Sequence, residues 1–234
     1  MKMSQSEFRR LLREESGLPE GIRGVRYGHA PVEFVRIASR IDDPVKEWFV
    51  SSGLFDEICS SAPANDSDVT RRDLQRLLQL TSSATPDDVT FARHVEDVSN
   101  LAQAFLDVLD SAGHHEDMGD FFRIESQCEC LLYSLKDAIN RPRPYQLAAE
   151  YGVPLYPLIR TDAMTASYPS GHALAGYMMS EYYARVYPDC KVELRSLGKR
   201  IAESRELVGI HYPSDTEVSR MIARVIIDND LLRS

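Results

Sequence analysis

The sequence predicts an all-α protein with a single domain. Apolar residues recur at helical spacing in segment after segment, whereas the alternating patterns typical of β-strands are nearly absent. The chain has 234 residues, 43% of them hydrophobic, and no linker rich in Pro, Gly and Ser divides it into comparable halves. We therefore expect one helical bundle over residues 31–234, preceded by an N-terminal arm over residues 1–30 that packs on it.

Two segments have the most regular helical periodicity. Apolar residues in 91–109 step by 4, 3, 4, 3 and 4 positions, and those in 121–138 step by 3, 4, 3, 4 and 3. Each segment is predicted as one continuous central helix. Asp43 followed by Pro44 indicates an N-cap and a helix start, and a shorter helix is expected over 70–80.

Charge and targeting signals exclude several classes of protein. The net charge of -9 argues against a nucleic-acid partner, because such proteins usually carry a basic excess. The N-terminus has charged residues where a signal peptide needs an apolar stretch, and no segment reads as a membrane span. We therefore expect a cytoplasmic protein.

Four cysteines are present without a C-x-x-C pair, so we expect reduced, structural thiols. Cys128 and Cys130 are two positions apart on a predicted helix. Because residues at that spacing point to different faces, these two cannot share a metal ion. No metal site is predicted.

Three short segments carry groups suited to phosphate chemistry. They are KDAINRPRP at 136–144, PSGH at 169–172 and SRELVGIHYPSD at 204–215. PSGH directly precedes a predicted helix, so its backbone N–H groups lie at a helix N-terminus, which favours a bound anion. Gly171 lets the anion approach the backbone, Ser170 adds a hydroxyl donor, and His172 lies where it can exchange a proton.

His211 and Asp215 are four positions apart at the start of another predicted helix. One helical turn brings such positions together, so Asp215 can accept the Nδ1 proton of His211. That contact leaves Nε2 of His211 as a nucleophile or base.

Four basic residues lie in or beside these segments. Arg205 falls on the apolar stripe of its helix and needs an anionic partner, either a bound phosphate or a structural carboxylate. Lys136 lies near the end of its helix, and Arg143 projects from the proline-stiffened exit that follows. Arg141 competes with Arg143 for the phosphate-binding role, and only the motif register favours Arg143.

Together the three segments resemble the signature of the type 2 phosphatidic acid phosphatase (PAP2) superfamily. That superfamily includes bacterial class A acid phosphatases, membrane lipid phosphatases and vanadium haloperoxidases. The resemblance covers residues 134–215, with the signature at 136–215, and the strings ASYPSGHALAGY and NRPRPY are most similar to the soluble acid phosphatases. It implies a helical bundle of the PAP2/haloperoxidase type and metal-independent hydrolysis of soluble phosphomonoesters.

The resemblance also implies roles for the matched residues. His211 attacks phosphorus and forms a phosphohistidine, Asp215 orients His211, and His172 protonates the leaving oxygen and then activates water. The phosphate oxygens would be held by Lys136, Arg143, Ser170, Gly171 and Arg205. No cofactor is expected, vanadate should inhibit, and the pH optimum should be acidic to neutral, because His172 must be protonated while His211 stays neutral.

Three alternatives stay open. A vanadate-dependent haloperoxidase would use the same residues to hold vanadate as its prosthetic group. A helical metal-dependent phosphohydrolase would instead use the HHED run at 114–117. A binding protein without activity would keep the pocket alone. The natural substrate and the oligomeric state also stay open, a homo-oligomer included.

Overall fold

The computed structural model describes residues 20–40, 42–161 and 164–233, and these form helices and loops without a β-strand. The all-α prediction is confirmed. In chain order the α-helices are α1 (Val32–Ala38), α2 (Pro44–Ser51), α3 (Leu54–Ser61), α4 (Asp68–Ser83), α5 (Pro86–His94), α6 (Val98–Ser111), α7 (Met118–Glu125), α8 (Glu129–Ile139), α9 (Pro144–Glu150), α10 (Gly171–Val186), α11 (Lys191–Leu207) and α12 (Pro213–Asp228). Short 3-10 helices lie at Glu20–Gly24, Ser126–Cys128 and Pro188–Cys190.

The predicted N-terminal arm is described only in part, since residues 1–19 lie outside the described residues. The described remainder of the arm contacts the body of the protein. Ile22 is buried in one apolar cluster with Leu74 and Leu77, and Nδ2 of Asn140 donates to the carbonyl oxygen of Gly28 at 2.9 Å. This part of the arm therefore covers the bundle beside the C-terminal end of α8.

Helix starts follow local capping chemistry. The carboxylate of Asp43 accepts from the backbone N–H of Lys46 at 2.8 Å, so α2 begins where the sequence predicts. The helix predicted over 70–80 is α4, which is longer at both ends. Its N-terminus is set by Ser67, whose hydroxyl accepts from the backbone N–H of Thr70.

The prediction of one continuous helix over 91–109 is wrong. The segment forms α5 and α6, separated by a turn at 95–97. The carboxylate of Asp97 accepts from the backbone N–H of Ser99 at 2.7 Å and so caps a new helix. The apolar period continues through both helices because both face the core. The turn places Glu96 in contact with His172 and Arg205 of the signature segments.

The prediction of one helix over 121–138 is wrong for a similar reason. The 3-10 helix Ser126–Cys128 separates α7 from α8. The hydroxyl of Ser126 and the amide of Gln127 both donate to the carbonyl oxygen of Arg123, at 3.1 and 3.2 Å. Such local side-chain bonds to the backbone compete with the α-helical pattern.

The core is organised around α10, which packs against α11 and α12. Two glycines let α10 and α11 approach closely, because a Cβ on Gly198 would lie only 2.5 Å from the carbonyl oxygen of Gly176. Phe105, Tyr183 and Ile201 belong to the large apolar cluster between these helices. This packing fixes the N-terminal ends of α10 and α12 beside the C-terminal ends of α8 and α11.

Candidate active site

His211 and Asp215 meet at the N-terminus of α12, as their spacing predicts. Nδ1 of His211 lies 3.1 Å from Oδ2 of Asp215, and both side chains are buried. The same carboxylate oxygen accepts the backbone N–H of Tyr212 at 3.0 Å, which anchors Asp215 to the first turn of the helix. The imidazole is thus held through Nδ1, and Nε2 points away from Asp215.

Two further residues hold the carboxylate of Asp215. Nη1 of Arg141 donates to Oδ1 at 2.7 Å, and the hydroxyl of Ser167 donates to Oδ2 at 2.5 Å. Burial acts to raise the pKa of Asp215, but Arg141, His211 and Ser167 hold it below its usual value. Arg141, which the sequence left as a competitor of Arg143, therefore faces Asp215 and keeps it ionised.

Arg143 lies on the other side of His211. Its Nη1 is 2.7 Å from Nε2 of His211 and 3.1 Å from the carbonyl oxygen of Ile210, while Nε and Nη2 donate to the carbonyl oxygen of Thr165. An arginine N–H is always a donor, so Nε2 of His211 is the acceptor and carries a lone pair. Burial and the charge of Arg143 lower the pKa of His211 well below its usual value, which keeps this imidazole neutral.

Lys136 lies at the end of α8, with only 5% of its surface exposed. Its ammonium donates to the carbonyl oxygen of Ala166 at 2.5 Å. Burial and the nearby charge of Arg143 lower its pKa well below the usual value. Among the described residues no carboxylate forms an ion pair with Lys136 or Arg143, so these two cations lack an anionic partner.

The PSGH segment forms the start of α10. Gly171 is the first residue of the helix, and a Cβ there would lie 3.3 Å from Cδ2 of Leu132, so a larger residue would be crowded. Ser170 is fully buried, and its hydroxyl accepts from the backbone N–H of Ala173 at 3.4 Å. Ser170 is thus the N-cap of α10, a role that uses a lone pair of the hydroxyl oxygen, and it is not among the residues that line the cleft.

His172 lies one residue into α10. Its Nε2 is 3.0 Å from the backbone carbonyl oxygen of Glu96, so Nε2 carries a proton and Nδ1 is the ring nitrogen left for chemistry. Burial and the charge of Arg205 lower the pKa of His172 to about 4. The turn between α5 and α6 therefore fixes the tautomer of the predicted acid.

Arg205 has the structural carboxylate partner that the sequence left open. Its Nη2 pairs with the carboxylate of Glu96, and its Nη1 donates to the carbonyl oxygen of Ala92 at 3.0 Å. Burial lowers the pKa of this guanidinium, although the nearby Glu96 acts to raise it. No other carboxylate among the described residues forms an ion pair with Arg205.

Both histidines open onto one cleft with a volume of about 510 Å³. Five of the eight predicted residues line it, and they are Lys136, Arg143, Gly171, His172 and His211. The other three, Asp215, Ser170 and Arg205, are fully buried behind its wall.

Several cleft residues carried no signal in the sequence, namely Phe34, Arg93, Glu96, Asp97, Tyr133, Arg160 and Thr165. Reading Asp97 as an N-cap would have placed a turn at Glu96, but nothing local indicates its contacts with Arg205 and His172.

The HHED run does not line the cleft. His114 pairs with Asp189 at 2.9 Å, His115 pairs with Asp110 at 2.8 Å, and Asp117 caps α7. A group of potential metal ligands, with atoms within 4.8 Å of one another, combines His114 with Asp189 and Cys190. Its members are also absent from the cleft lining, so this group is separate from the candidate active site.

The sequence model of the PAP2 superfamily matches residues 127–227, which include all eight predicted site residues. A curated relative, the non-specific acid phosphatase of Providencia stuartii, is 28% identical over 102 residues, or 43% of this chain and 40% of the relative. The chain thus aligns with about two fifths of the relative's length.

A solved structure, the first transmembrane PAP2 type phosphatidylglycerolphosphate phosphatase from Bacillus subtilis, has the same fold. It matches with a TM-score of 0.51 at 16% identity, covering 81% of this chain and 96% of that chain. Residues 127–227 are thus similar in sequence to the PAP2 superfamily, and five of the eight signature residues within that range line one cleft. Within the described residues, none of the helices combines the length and apolar character needed to cross a bilayer.

Proposed function

We propose that this chain is a phosphatase that hydrolyses soluble phosphomonoesters through a phosphohistidine on His211, without a metal ion. The observation that supports this most is that His211 and His172 share one cleft with Lys136 and Arg143. A nucleophile, an acid and two cations lacking anionic partners are the groups that phosphoryl transfer needs.

The nucleophile is Nε2 of His211. Its lone pair accepts a hydrogen bond from Nη1 of Arg143. A bound phosphate would take over that guanidinium donor through an equatorial oxygen, which frees the lone pair and brings phosphorus close to it. Asp215 then stabilises the positive charge that develops on the imidazole through Nδ1.

In the first step the lone pair of Nε2 forms the N–P bond while the bond from phosphorus to the leaving oxygen breaks. The leaving oxygen keeps that electron pair and receives the proton from Nδ1 of protonated His172. The dianionic phosphate next to His172 raises its pKa above the value of the free site, which favours the protonated form.

In the second step a water molecule attacks phosphorus and gives a proton to Nδ1 of His172. The N–P bond breaks, its electron pair returns to Nε2 of His211, and inorganic phosphate leaves. Lys136, Arg143 and the backbone N–H groups at the start of α10 would stabilise the charge on the equatorial oxygens in both steps.

The residues at the mouth of the cleft indicate which class of substrate the site accepts. Arg93, Asp97 and Arg160 are exposed residues of the cleft lining, which also includes the apolar side chains of Phe34 and Met164. The exposed charged side chains favour a hydrated leaving group, which is why we propose soluble phosphomonoesters over lipid phosphates.

The test is phosphate release from p-nitrophenyl phosphate, glycerol phosphate and dispersed phosphatidic acid, with and without EDTA. We expect hydrolysis of the two soluble esters that EDTA does not reduce and that His211→Ala abolishes. Full loss with EDTA would contradict metal independence. Bromide oxidation with vanadate and peroxide, without phosphate release, would favour the haloperoxidase alternative.

A further inference from the structure

Glu96 lies outside the three signature segments and yet contacts two of their residues. It occupies the turn between α5 and α6 and lines the cleft. Its carboxylate pairs with Nη2 of Arg205, and its backbone carbonyl accepts from Nε2 of His172 at 3.0 Å. Its other carboxylate oxygen accepts from the hydroxyl of Thr161 at 3.1 Å. One residue thus joins the predicted acid to a predicted phosphate ligand.

The ion pair places a negative charge where the phosphate is expected. Arg205 is fully buried and does not line the cleft, whereas Glu96 does, with 27% of its side chain exposed. The carboxylate therefore covers the guanidinium on the side of the cleft. Nε of Arg205 is buried without a hydrogen-bond partner among the described residues, so the guanidinium keeps unused donor capacity.

A phosphate and the carboxylate of Glu96 compete for the same cation. A phosphate that reaches Arg205 must either displace the carboxylate or lie beside it, and two neighbouring anions repel each other. Exchange of one anion for the other avoids leaving the buried guanidinium without a partner, which would be costly.

We propose that Glu96 is an internal anion that pairs with Arg205 in the free site and is displaced by phosphate, so that it weakens the binding of phosphate and of phosphate product. Glu96 is then a positioning residue that acts through Arg205. The inference rests on the proposed function, because it concerns how that same site binds its substrate.

The consequence is that the site binds phosphate less tightly but releases the phosphate product faster. A site without the internal anion would bind inorganic phosphate more tightly and would release it more slowly. The carboxylate also holds the turn whose carbonyl fixes the tautomer of His172, so its displacement links phosphate binding to the position of the acid.

The test measures the inhibition constants of inorganic phosphate and vanadate, with p-nitrophenyl phosphate as substrate, for wild type and Glu96→Gln. Glutamine keeps the shape and an acceptor for Arg205 but removes the charge. We expect both inhibition constants and KM to fall about tenfold, the size of a coupling common between residues in contact. An unchanged or higher inhibition constant would overturn the proposal, since a residue that only supports the fold would not tighten phosphate binding when altered.

A matched control is Glu181→Gln, which removes another carboxylate paired with an arginine, Arg195, away from the cleft. Its inhibition constants should equal those of wild type.

Calorimetry measures the effect of Glu96→Gln on phosphate binding in a protein that also carries Arg205→Gln. We expect no effect in that background, and an undiminished effect would also overturn the proposal. If a melting curve shows that Arg205→Gln does not fold, the inhibition constants of Glu96→Gln alone test the proposal.

Failure of the proposed function gives a different result. Wild-type protein would then neither release phosphate from p-nitrophenyl phosphate nor bind inorganic phosphate by calorimetry. If wild type does both and Glu96→Gln leaves the constants unchanged, only the inference about Glu96 is wrong.

Discussion

Arg143 donates to Nε2 of His211 over 2.7 Å, so the residue expected to bind phosphate also covers the residue expected to attack it. The other nitrogens of Arg143 are held by the carbonyl oxygens of Thr165 and Ile210. The guanidinium is thus fixed in place before substrate arrives. Its planar fork can reach a phosphate oxygen while keeping part of this support.

Arg143→Lys should lower kcat/KM for p-nitrophenyl phosphate about 100-fold, the usual cost of losing one preorganised donor. Lysine keeps the charge but lacks the fork that spans Thr165, Ile210 and the phosphate. Steady-state kinetics measure the loss. Arg93→Lys, at the exposed mouth of the cleft, should stay near the wild-type value, and an equal loss in both variants would contradict a specific role for Arg143.

Asp215→Asn should lower kcat about 1000-fold, because an amide does not stabilise the imidazolium and favours the wrong tautomer of His211. The same change removes the closer of the two carboxylates beside the buried Arg141 and leaves only Asp73, at 3.9 Å, so the free energy of unfolding should fall by about 3 kcal/mol. Kinetics and urea unfolding measure the two effects. Ser214→Ala removes the hydroxyl that accepts from Arg141 and donates to the carboxylate of Asp73, and should cost about 2 kcal/mol with near-normal kcat.

Lys136→Met should abolish phosphate binding and yet raise the free energy of unfolding by about 1–2 kcal/mol, because a buried cation without an anionic partner is replaced by an apolar chain. Because its folded pKa is lowered, Lys136 costs stability below its unfolded pKa and this cost disappears at high pH, so the gain in the variant should be larger at pH 7 than at pH 10. Urea unfolding at pH 7 and pH 10 tests this. A loss of stability at pH 7 would mean that the bond to Ala166 outweighs the cost of burial.

The pKa of His172, lowered to about 4, predicts how activity depends on pH. The proposed acid must be protonated, so kcat/KM should rise as the pH falls from 7 towards 4, by up to about tenfold per unit. His211 is held neutral because burial and the charge of Arg143 lower its pKa well below the usual value. A pH–rate profile measures this, and His172→Asn should remove the dependence. A kcat/KM that climbs between pH 5 and pH 8 would contradict the assignment.

The same pKa shifts set the acid limit of stability. Both histidines have folded pKa values below the unfolded value near 6.5, so the unfolded chain binds more protons as the pH falls below it. The melting temperature should therefore be highest above pH 6.5 and decline towards pH 4. A melting temperature that rises on acidification over this window would contradict the neutral state of His172 and His211.

The contacts within a single signature segment could be predicted from sequence because they depend on short spacing. His211 and Asp215 meet across one helical turn, and Pro142 with Pro144 fixes the direction of Arg143. Ser170 was expected to donate to phosphate, and its hydroxyl oxygen accepts the cap bond of α10, which leaves the O–H as a donor. The sequence did not indicate that Ser170 is buried outside the cleft lining, because that depends on the tertiary fold.

The contacts of Glu96 could not be predicted, because Glu96 and Arg205 are 109 positions apart and only the packing of α11 against α5 brings them together. The turn at 95–97 could not be predicted either, because the helices on either side face the same core and the apolar spacing continues across the turn. Arg141 and Arg143 have the same chemistry and near-identical positions in sequence. Their separation, one towards Asp215 and one towards His211, depends on the tertiary fold.

The most direct test of the central claim is rapid quenching of the protein during turnover of p-nitrophenyl phosphate, followed by peptide mass spectrometry under alkaline conditions. We predict an acid-labile phosphate attached to Nε2 of His211 in the wild-type protein. In His172→Asn this phosphohistidine should accumulate, because p-nitrophenolate leaves without a proton from an acid whereas the second step still needs His172 to activate water. Active wild-type enzyme that turns over without phosphate on His211, or with phosphate on another residue, would contradict the account.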